Sequence, residues 1–71
     1  MRAEFNRKKL RQIREQKNLT QEQLAELSEI SDRHLRKLET ACTNPSARVL
    51  CRISRVLNVP MEEFMMIQKD P

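Results

Sequence analysis

The chain contains no glycine, tryptophan or tyrosine, and only two cysteines and one histidine among its 71 residues. Runs of β-branched and aromatic residues are also missing, which argues against a fold built on strands. Two cysteines and one histidine cannot complete a tetrahedral zinc site within one chain, so no metal is expected. No nucleophile–base arrangement is visible, so we expect neither enzymatic activity nor a cofactor. The absence of a signal peptide or a long apolar run predicts a cytoplasmic protein without a membrane span.

Helix-forming residues dominate what remains, chiefly Leu, Arg, Glu, Gln, Lys and Met. The length predicts a single domain over residues 1–71. The net charge is +4, but it is unevenly distributed, with +6 over residues 1–55 and −2 over residues 56–71. The excess of basic residues over 1–55 favours a polyanionic partner, although a net charge of +4 is also ordinary for a small soluble domain.

Apolar periodicity and capping residues predict an all-α fold of five helices. Residues 6–17 form the first, and the next three begin at caps expected at Thr20, Ser31 and Ser46. The fifth runs from Met61 to about Ile67, and a frayed tail follows over 68–71. In the second helix, Leu24 and Leu27 are expected to point inward.

Residues 20–39 are the most informative stretch. They predict two short amphipathic helices with only a three-residue break, Ser28–Ile30, between them. Helices joined so closely must cross at a steep angle. The second helix then presents a basic face, which is the geometry of a helix that enters a DNA major groove.

The pattern resembles the Xre/Cro family of bacterial and phage repressors, and the resemblance covers Leu10 to about Met65. The matching positions are Leu10, Ile13, Arg14, Leu19, Thr20, Gln21, Leu24, Ala25, Ile30, Ser31, Leu35, Leu38, Glu39, Asn44, Pro45, Ser46, Leu50, Leu57, Val59 and Phe64. The resemblance implies a compact five-helix, lambda-repressor-like domain. It also implies sequence-specific binding of double-stranded DNA, as expected of a transcriptional regulator and most simply a repressor.

The chain departs from the family in two turns. Glu29 stands where the family usually has glycine between helices two and three. A non-glycine residue costs on the order of 1–2 kcal/mol in the left-handed conformation, so we expect a slightly rearranged turn. Thr40-Ala41 likewise replaces a common glycine after helix three, so the following loop is expected to take a different path.

The resemblance also assigns roles to the polar residues. Asp32, Arg33 and Lys37 match its base-reading positions, and arginine and lysine can bind the guanine edge. Asp32 can accept from cytosine N4 or instead repel phosphate. The predicted phosphate contacts are Arg14, Thr20, Gln21, Arg36, Ser46 and Arg48. Arg14 and Glu39 are both charges on inner faces, and the family pairs these positions. The competing interpretation of the basic residues is a solvated charged face.

The C-terminal segment carries more apolar residues than one short helix can bury in a small core, namely Met61, Met65, Met66 and Ile67. We therefore predict that they contact a second subunit in a C2 homodimer that reads an inverted repeat. Two alternatives remain. One is an antitoxin that binds DNA and also holds a toxin through this Met-rich end. The other is a protein-interaction adaptor that uses the scaffold without DNA.

Overall fold

The computed structural model describes the backbone of residues 2–41 and 43–68, with the side chains of 4–41 and 43–66. Its elements in chain order are β1 (Arg2–Phe5), α1 (Arg7–Gln16), α2 (Gln21–Leu27), α3 (Asp32–Thr40), α4 (Ala47–Leu57), a 3₁₀ turn (Met61–Phe64) and β2 (Met65–Gln68). None of the described helices has the length and apolar character needed to cross a membrane.

Local capping sets where the helices begin. Thr20, Ser31 and Ser46 each accept a hydrogen bond from the backbone N–H three residues later, at 3.0, 3.0 and 3.2 Å. The predicted caps of α2, α3 and α4 are therefore confirmed. At Thr20 the bond is reciprocal, because its N–H donates to the Gln23 side chain at 2.9 Å and completes a capping box.

One hydrophobic core joins all the elements. Its buried residues are Phe5, Leu10, Ile13, Leu24, Ala25, Leu35, Leu38, Leu50, Ile53, Leu57 and Phe64. Leu35 and Leu38 of α3 are fully buried in it. Burial of this face orients α3, so its opposite face must point outward.

The five-helix prediction is wrong, because the structure has four α-helices among the described residues. The predicted fifth helix is a 3₁₀ turn that ends at Phe64, and the chain becomes extended at Met65, with φ −115° and ψ 134°. Residues 65–68 then form β2, which pairs antiparallel with β1 so that Phe5 lies opposite Met65 and Arg2 opposite Gln68. The fold is thus mainly helical with a small two-stranded sheet.

The sheet and the 3₁₀ turn close one end of the core. Phe64 is fully buried, and its carbonyl accepts the backbone N–H of Asn6 at 2.6 Å. Asn6 also caps α1 by accepting from the N–H of Lys9. The start of α1 is therefore tied to the C-terminal segment. Of the tail predicted to fray, Gln68 belongs to β2, and residues 69–71 lie outside the described part of the chain.

The inward orientation predicted for Leu27 is also wrong, because this residue is 58% exposed. The buried residues of α2 are Leu24 and Ala25. At 100° per residue, Leu27 lies roughly 110° from the direction midway between them. It therefore falls outside the buried face and remains on the surface at the end of the helix.

Candidate nucleic-acid interface

Helix α3 is anchored on one side and basic on the other. Leu35 and Leu38 are buried, whereas Arg33 and Lys37 are exposed. Neither cation has a hydrogen bond or ion pair within the described residues. The two side chains are one helical turn apart, so they project from the same face of α3. Both cations, which lack partners in the described part of the chain, are therefore accessible to a partner that contacts this face of α3.

Asp32 and Arg36 lie on α3 as an i,i+4 pair. Arg36 Nη2 is 3.0 Å from Asp32 Oδ2, with both side chains partly exposed. The other carboxylate oxygen, Oδ1, is buried and has no partner among the described residues. The pair holds Arg36 beside Asp32 and occupies part of the acceptor capacity of the Asp32 carboxylate. Of the three predicted base-reading residues, Asp32 is therefore the one with a competing partner.

The turn between α2 and α3 keeps a left-handed residue although it has no glycine. Glu29 has φ 59°, and its N–H donates to the Glu26 carbonyl at 3.1 Å. The N–H of Ile30 donates to the Ala25 carbonyl at 3.0 Å, and Ile30 packs against the core. This bonding is the Schellman pattern that ends many helices. Glu29 therefore adopts the left-handed conformation that glycine usually provides in this family, and it does so at a cost on the order of 1–2 kcal/mol.

A buried polar network connects the first three helices. Arg14 Nε donates to Glu39 Oε2 at 2.7 Å, and Arg14 Nη2 donates to Oε1 at 3.1 Å. Arg14 Nη1 donates to the Leu19 carbonyl at 2.8 Å. Gln21 Nε2 also donates to Glu39 Oε1, at 3.1 Å. Arg14 and Gln21, both predicted phosphate contacts, thus meet on one carboxylate.

The other predicted phosphate contacts lie at helix starts. Thr20 caps α2, and Ser46 caps α4 with its hydroxyl oxygen accepting from Val49. Arg48 is exposed in the first turn of α4. No described hydrogen bond or ion pair joins Ser46 or Arg48 to the residues of α2 or α3. The polar residues at the start of α4 therefore lie outside the network formed by Arg14, Gln21 and Glu39.

Arg7 has a structural role that its sequence context does not predict. Its Nη1 donates to the Leu38 carbonyl at 2.7 Å and to the Thr43 carbonyl at 3.1 Å. Its guanidinium also lies 5.6 Å from the centroid of the Phe5 ring. Arg7 thereby caps the end of α3 from α1. Nothing in the local sequence distinguishes it from the neighbouring bases, because its acceptors are over thirty residues away.

The Met-rich segment borders an open apolar groove of about 580 Å³. Its lining residues are Phe5, Asn44, Pro45, Ala47, Leu50, Met61, Glu62 and Met65. Met66 is 41% exposed, and the side chain of Ile67 lies outside the described part of the structure. Met61 and Met65 thus line the same apolar groove on the surface.

The cysteines and acidic residues form no metal centre in the part of the chain that the structure describes. Cys51 is a half-buried free thiol on α4. Cys42 lies outside the described residues.

Two short helices joined by a tight turn, with a core-anchored basic second helix, define a helix-turn-helix DNA-binding domain. The helix-turn-helix family matches residues 10–64, and the chain belongs to this family, in its Xre/Cro type. It is therefore a DNA-binding transcriptional regulator.

Solved structures of regulators have the same fold. The chain is 28% identical to the restriction-modification controller protein C.AhdI from Aeromonas hydrophila, with a TM-score of 0.78 over 82% of this chain and 88% of that one. It is 30% identical to SinR, the master regulator for biofilm formation, solved in complex with DNA, with a TM-score of 0.75 over 79% and 90% of the two chains. A search of curated proteins returned no match.

Proposed function

We propose that the chain is a repressor that binds a specific double-stranded DNA site with α3 in the major groove. The observation that carries this proposal is that Arg33 and Lys37 are exposed and lack partners among the described residues, on a helix whose opposite face is buried. A helix held in this way can reach base edges without disturbing the core. Occupation of a site that overlaps a promoter is sufficient for repression, and no catalytic step is required.

The proposed contacts divide into base-reading and positioning residues. Arg33 binds the O6 and N7 edge of a guanine, and Lys37 reaches a base one helical turn further along. Asp32 accepts from a cytosine N4. The proposed phosphate contacts are Arg14, Thr20, Gln21, Arg36, Ser46 and Arg48. Phosphate contacts fix the register of α3 on the duplex but carry no sequence information directly.

We further propose that the protein acts as a C2 homodimer on an inverted repeat. The groove beside Met61 and Met65, together with the exposed Met66, supplies an apolar surface for a second copy. Two copies of α3 would then lie roughly 34 Å apart, which is one turn of DNA. The dimer doubles the number of base pairs read by so small a domain.

The decisive experiment is selection of bound sequences from a random DNA pool, followed by affinity measurements across a salt series. We expect a recovered inverted repeat, and a logarithm of affinity that falls steeply as the logarithm of salt concentration rises. The expected slope is about −0.9 for each phosphate neutralised. Failure to bind DNA even at low salt would overturn the proposed function and favour an adaptor role instead.

A further inference from the structure

The Glu39 carboxylate has one more hydrogen-bond donor than its ion pair requires. Its side chain is 1% exposed and that of Arg14 is 11% exposed. The two bonds from Arg14, at 2.7 and 3.1 Å, already form a bidentate pair. The third bond comes from Gln21 Nε2 at 3.1 Å and joins the first turn of α2 to the last turn of α3. The ion pair with Arg14 already compensates the charge of Glu39, so the bond from Gln21 has a different effect: it fixes the Gln21 side chain.

We propose that Glu39 is a positioning residue that presents the side-chain amide of Gln21 to a DNA phosphate. The inference rests on the proposed function, since it specifies how one of the proposed backbone contacts is built. An ionised carboxylate only accepts hydrogen bonds, so the nitrogen end of the Gln21 amide must face Glu39. The second N–H of the same nitrogen has no acceptor among the described residues. That N–H is the group offered to a phosphate oxygen.

The physical gain is preorganisation of a flexible side chain. A free glutamine samples many rotamers, and its amide can present either the oxygen or the nitrogen. Only the nitrogen can donate to phosphate, whereas the amide oxygen would face it unfavourably. By holding Gln21 in the donating orientation, Glu39 removes the entropic cost of ordering that side chain on DNA. Because Glu39 lies on α3, it also fixes the backbone contact relative to Arg33 and Lys37.

The test is a double-mutant cycle for DNA affinity with Glu39→Gln and Gln21→Ala. Affinities are measured by fluorescence anisotropy on a selected site, at a temperature where each protein is folded by circular dichroism. We expect each single variant to bind about tenfold more weakly, because Gln21→Ala removes the hydrogen bond to phosphate and Glu39→Gln removes the carboxylate that orients it. The double variant should bind no more weakly than the weaker single variant, since Glu39 acts through Gln21.

Ile53→Val provides the matched structural control, because Ile53 is fully buried in α4 and outside the polar network. Its folded form should bind DNA like the wild type. If folded Glu39→Gln also binds like the wild type, Glu39 is only structural and the proposal fails. Additive losses in the cycle would overturn it as well. In either case wild-type DNA binding would remain, so the proposed function would stand. A wild type that does not bind DNA would overturn both.

A measurement on the wild type keeps the proposal testable if Glu39→Gln does not fold. The two side-chain amide protons of Gln21 are followed by nuclear magnetic resonance, with the exposed Gln12 as reference. One Gln21 proton should exchange with solvent more slowly than those of Gln12, and addition of the selected DNA should shift the other. Exchange of both Gln21 protons at the Gln12 rate would contradict the proposal.

Discussion

The basic residues of this protein are not equivalent, because several are already engaged by the fold. Arg14 is held by Glu39 and a carbonyl, and Arg7 is held by two carbonyls of the α3–α4 segment. Arg36 pairs with Asp32 on α3. Arg33 and Lys37 lack such partners among the described residues. Their exposed donors are available to a partner, so the two positions proposed to read bases are ones that the described part of the fold leaves without a partner.

The variant Arg33→Ala should distinguish base reading from phosphate contact. The variant should lose about 1–3 kcal/mol of binding free energy on the preferred site and tolerate more bases at one position. Binding constants on the selected site and on random DNA would measure both effects. Arg11→Ala removes an equal charge from an exposed α1 residue that pairs with Glu15, and it should weaken both DNAs slightly and equally. An equal loss on the two DNAs for Arg33→Ala would mean that Arg33 contacts only phosphate.

Three helices of the protein, α1, α2 and α4, end in the same way without a glycine. Asn18, Glu29 and Asn58 have φ values of 59°, 59° and 58°. The next residue in each case is apolar and packs on the core, namely Leu19, Ile30 and Val59. Each of these donates its N–H to the carbonyl five residues earlier, at 3.2, 3.0 and 3.1 Å. Asparagine tolerates the left-handed conformation, whereas glutamate adopts it only at a cost.

Replacement of Glu29 by glycine should therefore stabilise the protein. Relief of the left-handed conformation gains on the order of 1–2 kcal/mol, and the greater freedom of glycine in the unfolded chain offsets about 0.5–1 kcal/mol of that. The loss of the exposed Glu29–Arg52 contact at 3.8 Å should matter little. Thermal and urea unfolding should show a free energy of unfolding raised by about 1 kcal/mol. Asn58→Gly is the matched control, with a smaller expected change, and a Glu29→Gly variant less stable than the wild type would refute the argument.

Whether a structural contact can be predicted from the sequence depends on how far apart its residues lie along the chain. The caps at Thr20, Ser31 and Ser46 were predictable because donor and acceptor are three residues apart. The sheet was not, since it pairs residues from opposite ends of the chain, such as Phe5 with Met65. The closely spaced apolar residues after Pro60 are compatible with either a helix or a strand. The pairing of β2 with β1, which the local sequence does not reveal, selects the strand. The same limit applies to Arg7 and to the link between Gln21 and Glu39, which join residues distant in sequence.

The small core of this protein leaves apolar surface uncovered. The described residues contribute eleven buried hydrophobic side chains, and the longest dimension is 40 Å against 21 and 19 Å for the other two. A domain of this size is only marginally stable as a monomer, and small domains commonly gain stability by forming oligomers. The groove lined by Met61 and Met65, together with the exposed Met66, is the apolar surface that the proposed dimer would bury.

The proposed dimer predicts the behaviour of Met66→Lys. Met66 lies opposite Glu4 in the strand pair, so a lysine there adds an attractive cross-strand charge and should leave the fold intact. A charge on an apolar interface should nevertheless shift the sedimentation mass toward that of the monomer. Because two linked copies of α3 bind a full site cooperatively, affinity for the inverted repeat should fall more than affinity for a half-site.

Leu27→Lys is the control for this prediction. Leu27 is exposed at the end of α2 and does not line the groove beside the Met-rich segment, so the change should leave the sedimentation mass unaltered. The measurements are made at tens of micromolar protein, where a dimer of ordinary affinity is populated. A wild type that sediments as a monomer there and binds full and half sites equally would contradict the dimer. In that case the apolar groove would have to serve contacts other than those with a second copy, and each α3 would read its site alone.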